Sequence, residues 1–210
     1  MLMDMAGATL KILLGTAALA ALGTVILLFT SRQPLPPPAE EILRSQLALT
    51  DHRLHRLGQT NLFSGVVVEF YGSNSLRSRS VVSAGLLNGL SEGWHTNGQL
   101  AVREYFTNGV SHGLRVKWHP NGRKLSEANI VQGQIEGLFR RWHEDGSLSE
   151  EVPMKAGQSD GLARSYFASG YVKAEASLHH GQVLTQRFWK DGEQAASALA
   201  DPSPPARKDL

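Results

Sequence analysis

The chain has 210 residues, 21 basic against 19 acidic side chains and a formal net charge of +2. This near balance argues against the basic surface that a nucleic-acid-binding protein needs. The sequence contains no cysteine, which excludes disulfides, thiolate zinc sites and a cysteine nucleophile.

Residues 1–32 predict a signal-anchor segment that spans a membrane once. The run at 12–30 carries no charged residue, and a helix of that length is about 28 Å long, close to the thickness of the bilayer hydrocarbon. The triplet Ala18-Leu19-Ala20 lies inside this run instead of ending it, which favours an uncleaved anchor over a cleaved signal peptide. We expect a single-pass membrane protein with its amino terminus in the cytoplasm and its C-terminal domain on the other side of the membrane.

Two short segments follow the predicted span. Residues 33–39 are rich in proline, which favours polyproline II and predicts a stiff linker. Residues 40–58 predict a helix that caps the first repeat, because acidic residues stand in its first turn, basic residues near its end, and Gly58 after it.

Residues 59–192 repeat with a period of 24 residues. Aromatic residues, leucines and three sets of glycines all follow the same step, as expected of a solenoid whose units stack on one another. One wholly apolar set is Val82, Phe106, Ile130, Met154 and Leu178, and an all-leucine set is Leu90, Leu114, Leu138 and Leu162. The units are residues 61–84, 85–108, 109–132, 133–156 and 157–180, with a partial sixth at 181–192 and a tail predicted to be disordered at 193–210.

Each unit predicts a β-hairpin. Leu114, Val116 and Trp118 alternate with polar residues, which is the pattern of a half-buried strand. Asn121-Gly122 predicts a two-residue type I′ turn, with positive φ at both residues. The expected fold class is therefore all-β, an elongated antiparallel sheet of tandem hairpins preceded by one transmembrane helix.

The repeat resembles the variant class of MORN repeats, bacterial proteins often described as antitoxins of the YwqK type. The strings GLRVKWHPNG at 113–122 and GLFRRWHEDG at 137–146 carry the likeness, and Glu127 and Glu151 follow each at the same distance. The resemblance implies stacked β-hairpins and a role in protein interaction or scaffolding near a membrane. It covers about two thirds of the chain. Because the proteins that the repeat resembles are bacterial, we expect the membrane to be a bacterial inner membrane and the C-terminal domain to lie in the periplasm.

Three patterns in the sequence resemble catalytic or metal-binding motifs, but none of them fits the predicted hairpin repeat. Ser91 lies in a G-x-S-x-G string, but that motif needs a strand-to-helix turn, and Ser91 falls inside a predicted strand. Histidines repeat at one position of the unit, yet equivalent residues of stacked hairpins lie about 9 to 10 Å apart, too far to share a zinc ion. The same spacing separates the carboxylates of Glu127, Glu151 and Glu175 too widely for paired catalysis. We therefore predict no enzyme activity, no metal site and no cofactor.

Two rows of side chains are the predicted partner-binding surface. The aromatic row also accounts for much of the apolar material available to a core, so the sequence leaves open whether it is buried or exposed. The predicted function is a membrane-anchored scaffold or accessory subunit that binds another protein; the alternatives are a toxin-neutralising module and a carbohydrate- or peptidoglycan-binding module. No nucleic acid or small-molecule substrate is expected. The predicted binding residues are Trp94, Trp118, Trp142, Tyr166, His95, His119 and His143.

Overall fold

The computed structural model describes residues 40–72 and 74–193, which belong to one compact unit. The predicted membrane span at 12–30, the linker at 33–39 and the tail beyond residue 193 lie outside the described residues. Within the described ranges, no helix is both long and apolar enough to cross a membrane.

The described residues form one 14-stranded sheet and one separate two-stranded hairpin. Neighbours in the large sheet are antiparallel and follow chain order, except that β1 pairs parallel to β4. The predictions of an all-β fold and of a sheet built from successive hairpins are confirmed. The strands are β1 Glu41–Leu43, β2 Leu47–Thr50, β3 Arg53–Arg56, β4 Gly65–Phe70, β5 Leu76–Ser83, β6 Leu86–Trp94, β7 Leu100–Thr107, β8 Val110–Ser111, β9 Gly113–Trp118, β10 Lys124–Val131, β11 Gln134–Trp142, β12 Leu148–Lys155, β13 Gln158–Ser159, β14 Gly161–Tyr166, β15 Val172–His179 and β16 Gln182–Phe188.

The turns that contain Asn-Gly or Asp-Gly differ from the prediction. At Asn121-Gly122 only the glycine has positive φ, at 81°, so the predicted type I′ turn is wrong. The Gly122 N–H donates to the carbonyl of His119 at 2.9 Å, and the His119 N–H donates to the carbonyl of Arg123 at 2.8 Å. This is a three-residue turn with a bulge at glycine, and Asn121 contributes through its side chain instead, with Oδ1 accepting the Arg123 N–H at 3.0 Å.

The type I′ geometry occurs at the opposite ends of the strands. In the turn between β5 and β6, Ala84 and Gly85 have φ of 46° and 77°, and residues 83 and 86 are paired. Asparagine or glycine normally occupies the first position of such a turn, so the alanine there gave no signal in the sequence. The same pair of positive φ values recurs at Asn108-Gly109, Gln132-Gly133, Ala156-Gly157 and His180-Gly181.

The predicted capping helix at residues 40–58 is wrong. This segment forms β1, a single 3-10 turn at Arg44–Gln46 and the β2–β3 hairpin. The apolar residues of the segment form no continuous helical stripe, whereas in the strand arrangement Ile42 and Leu47 are buried against Val67 and Val82 of the first repeat. The segment therefore packs on the start of the array, as a β-structure.

The best-buried repeat position belongs to the apolar set. Val82 is 2% exposed and Ile130 is 1% exposed, while its other members are half-buried. The β2–β3 hairpin packs on this side of the sheet, which we call the hairpin-covered face and define by Val67, Val82 and Leu87. The other side of the sheet carries the predicted aromatic row.

Candidate partner-binding face

Strand pairing places a row of alternating charges across the side opposite the hairpin. Directly paired residues of neighbouring strands share one face, so the register defines this row without reference to side-chain conformation. We call this side the ion-pair face. Its central row is Arg79, Glu92, Arg103, Val116, Glu127, Arg140, Glu151, Arg164, Glu175 and Arg187.

Carboxylates of this row form salt bridges with arginine side chains of neighbouring strands. Arg103 contacts Glu92 at 2.7 Å, and Arg140 contacts Glu151 at 2.9 Å. The Arg164–Glu175 pair measures 3.0 Å. Such partly exposed pairs contribute little stability individually, about 1 kcal/mol or less. Each carboxylate faces a guanidinium instead of a second carboxylate, which is unlike the paired acids of a glycosidase.

The predicted aromatic row lies on the same face, near the Asn-Gly and Asp-Gly turns. Its tryptophans are half-buried, so the row is neither the buried core nor a fully exposed stack. Cations lie over two of the rings: the Arg103 guanidinium is 6.0 Å from the ring centre of Trp118, and the Lys124 ammonium is 5.0 Å from that of Trp142.

Tyr166 occupies the last position of the aromatic row. Burial raises the pKa of its phenol above the ordinary value, and the negative charge of Glu151 raises it further. The Tyr166 hydroxyl donates to Glu151 at 3.3 Å, so this side chain connects the aromatic row to the row of ion pairs.

The predicted histidine row joins successive units. The Nε2 atoms of His95 and His119 lie 2.9 and 3.0 Å from the carbonyl oxygens of Trp118 and Trp142, and His143 contacts the Tyr166 carbonyl at 3.0 Å. Because a carbonyl oxygen only accepts, each Nε2 carries the proton and donates. One ring nitrogen of each histidine is thereby used within the array, and no cluster of three potential metal ligands in the described ranges includes these residues.

A third row was not predicted as a binding surface. The leucines of the repeat lie on the ion-pair face near the type I′ turns, and Leu114, Leu138 and Leu162 are 49%, 41% and 42% exposed. Tyr105, 45% exposed, lies in the same row, because its neighbour Glu104 pairs with Arg115, the neighbour of Leu114. Each leucine follows the glycine at a bulge with positive φ, and this Gly-Leu pair was the available signal in the sequence.

The G-x-S-x-G string lies in a strand and not at the strand-to-helix turn that a nucleophile elbow needs. Ser91 lies within β6, and its hydroxyl is hydrogen-bonded to that of Ser80 at 2.7 Å. A cavity of about 460 Å³ lies close by, and both apolar and polar side chains line it. The apolar ones include Leu49, Leu54, Val82 and Leu87, and the polar ones are Arg44, His52, Glu69, Ser78 and Ser80. A nucleophile needs a base within hydrogen-bond reach, and Ser80 is not one.

Repeated hairpins, regular side-chain rows and polar groups paired across strands define a tandem β-hairpin repeat protein. The family model described as the MORN repeat variant matches residues 87–109 and 135–156, which cover most of the second and fourth units. The match confirms the resemblance over these two stretches. MORN repeats are in general non-catalytic modules that bind proteins or membranes. No curated protein matches the chain.

Proposed function

We propose that this protein is a membrane-anchored, non-catalytic scaffold whose ion-pair face binds another protein, as an accessory subunit of a membrane complex. The uncharged run at 12–30 supports the anchor, since its length suits one crossing of a bilayer. On this proposal the anchor lies in the inner membrane of a bacterium and the repeats lie in the periplasm.

The exposed leucine row is the observation that carries the proposal. Leu114, Leu138 and Leu162 leave apolar surface open at one position of successive units, about 9 to 10 Å apart. Covering the open part of one such side chain stabilises a complex by about 1 to 2 kcal/mol. Contiguous exposed apolar patches larger than roughly a few hundred Å² are typical of protein interaction sites, and on this proposal the leucine row forms one.

The ion-pair row and the aromatic row lie beside the leucine row on the same face. The carboxylates and guanidinium groups beside the leucines already pair with each other, so a partner need not neutralise them. Half-buried tryptophans at the far side of the ion pairs add aromatic edges of the type found in binding hot spots. The histidines support the tryptophans through their carbonyls and act indirectly.

Copurification of the full-length chain from native membranes in a mild detergent, followed by mass spectrometry, tests the proposal. We expect a recurring partner that is lost when Leu114 and Leu138 are both changed to glutamate. Leu57→Glu is the matched control, because Leu57 is 59% exposed and lies outside the repeats. A chain that emerges alone from several preparations, or a partner retained by the Leu114→Glu/Leu138→Glu variant, contradicts the proposal.

Membrane anchoring is tested separately. Alkaline carbonate should leave the full chain in the membrane pellet, and a C-terminal alkaline phosphatase fusion should be active, because that enzyme folds only in an oxidising compartment. An inactive fusion that is present in the membrane at normal amounts would place the repeats in the cytoplasm and favour the toxin-neutralising alternative.

A further inference from the structure

Three side chains with metal-binding atoms meet at the turn between β15 and β16. Asp160, His179 and His180 place one potential ligand atom each within 4.8 Å of the others. Asp160 Oδ2 lies 3.0 Å from Nδ1 of His179 and 3.9 Å from Nδ1 of His180. In the sequence the two histidines are adjacent, whereas Asp160 lies 19 residues upstream of His179.

The turn explains why two adjacent histidines point the same way. Consecutive side chains of a strand project to opposite faces, which would separate His179 from His180. His180 instead occupies the first position of the type I′ turn, with φ of 49°, and Gly181 has φ of 77°. The two ring centres are consequently 4.1 Å apart.

The other units show which of these three side chains the turn itself requires. At the position of Asp160, Ser64 accepts the Ala84 N–H at 2.9 Å, and Glu136 accepts the Ala156 N–H at 2.8 Å. Asp160 likewise accepts the His180 N–H at 3.2 Å, so a side-chain acceptor at this position belongs to the turn.

The turn does not require the two imidazoles of His179 and His180. Equivalent turns are built without histidine and have the same backbone geometry, with φ between 46° and 50° at the first turn residue. The last unit therefore adds two nitrogen ligands to an oxygen ligand that the turn already positions. The equivalent residue pairs are Ser83-Ala84, Thr107-Asn108, Val131-Gln132 and Lys155-Ala156.

We propose that Asp160, His179 and His180 bind a divalent transition-metal ion of the Zn²⁺ class. Two imidazole nitrogens and one carboxylate oxygen are a common three-ligand set for zinc, and they leave a fourth position for water or a donor from another molecule. Ligand atoms around tetrahedral zinc are separated by about 3.4 Å. The two measured separations from Asp160 Oδ2 bracket this value, and small rotations of exposed rings close the difference.

Calorimetric titration of the full-length chain, without a polyhistidine tag, with zinc chloride tests the site. We expect one Zn²⁺ per chain. His179→Thr and His180→Gln should each lower the affinity about tenfold or more. Other units place threonine and glutamine at these positions, as Thr107 and Gln132, so both variants should fold. His112→Gln is the matched control, because His112 is exposed and occupies the repeat position of Asp160.

Cobalt provides a second readout. Co²⁺ bound by this ligand set should give visible absorption bands of a four- or five-coordinate ion, and His179→Thr should remove them. Zn²⁺ should also raise the unfolding temperature of the native chain but not of the double variant His179→Thr/His180→Gln. No Zn²⁺ binding by the native chain, or equal affinity in the native chain and the double variant, would overturn the proposal.

Discussion

His119 Nε2 lies 3.0 Å from the carbonyl oxygen of Trp142, 23 residues further along the chain. His95 and His143 make the same contact with the aromatic residue of their next unit. The first unit uses a tyrosine for it, since the Tyr71 hydroxyl donates to the Trp94 carbonyl at 2.7 Å. The repeated histidine, which resembles a metal ligand in the sequence, is thus a hydrogen-bonding link between neighbouring hairpins.

His119→Ala should lower the free energy of unfolding by about 1 kcal/mol, because it removes this hydrogen bond and leaves the Trp142 carbonyl without its donor. Urea unfolding of the full-length chain measures the change. His112→Ala is the control, since the His112 side chain is exposed. Equal stabilities of the two variants would show that the bond contributes nothing.

Ile130→Ala and Leu138→Ala should differ sharply, although both residues occupy wholly apolar repeat positions. Ile130 is 1% exposed, so its truncation leaves a cavity and should destabilise the protein by about 3 kcal/mol. Leu138 is 41% exposed, and its truncation should have an effect of about 1 kcal/mol or less. Denaturant midpoints distinguish the two. A large loss at Leu138 would contradict the exposed position of the leucine row.

Ala156→Asn should stabilise the protein by about 0.5 to 1 kcal/mol. Ala156 has φ of 46°, a conformation that asparagine tolerates better than alanine. The unfolding temperature measures the gain.

Asn121→Gly tests the other kind of turn and should destabilise the protein. It removes the Oδ1 bond to Arg123 and the Nδ2 bond to the Glu144 carbonyl at 2.8 Å. A type I′ turn at Asn121 would accept glycine readily, so a neutral or stabilising result there would restore the turn type that the sequence suggested.

Tyr166 should make stability depend on alkaline pH. Because burial raises the pKa of its phenol above 10.0, the folded chain keeps this proton at pH values where the unfolded chain has lost it. The contribution is complete below about pH 10 and is lost as the pH rises beyond it. Subtracting the unfolding free energies of Tyr166→Phe from those of the native chain should leave a difference that declines from pH 10 to pH 11. A difference that stays constant over this range would contradict the prediction.

The sequence determined the repeat, its period and its hairpin character, because strand alternation and glycine at turns depend on neighbouring residues of the chain. It also identified the residues of the aromatic, histidine and leucine rows. It assigned the wrong structure to residues 40–58, since terminal charges and Gly58 favour a helix locally, whereas Ile42 and Leu47 are buried only when strands pack on Val67 and Val82. Turn type was misassigned for a related reason: Asn121 suits positive φ, but hydrogen bonds from its side chain favour a different turn.

Only the tertiary structure decided which repeated rows are buried and which side chains meet. The apolar ladder that contains Ile130 and the leucine ladder that contains Leu138 follow the same period, and their exposure depends on which face of the sheet they occupy and on where a bulge falls. Asp160 and His179 come together because the neighbouring residues Gly161 and Leu178 are paired between β14 and β15. A period in the sequence specifies which residues are equivalent, but contact between residues far apart in the chain depends on strand register, which the whole sheet sets.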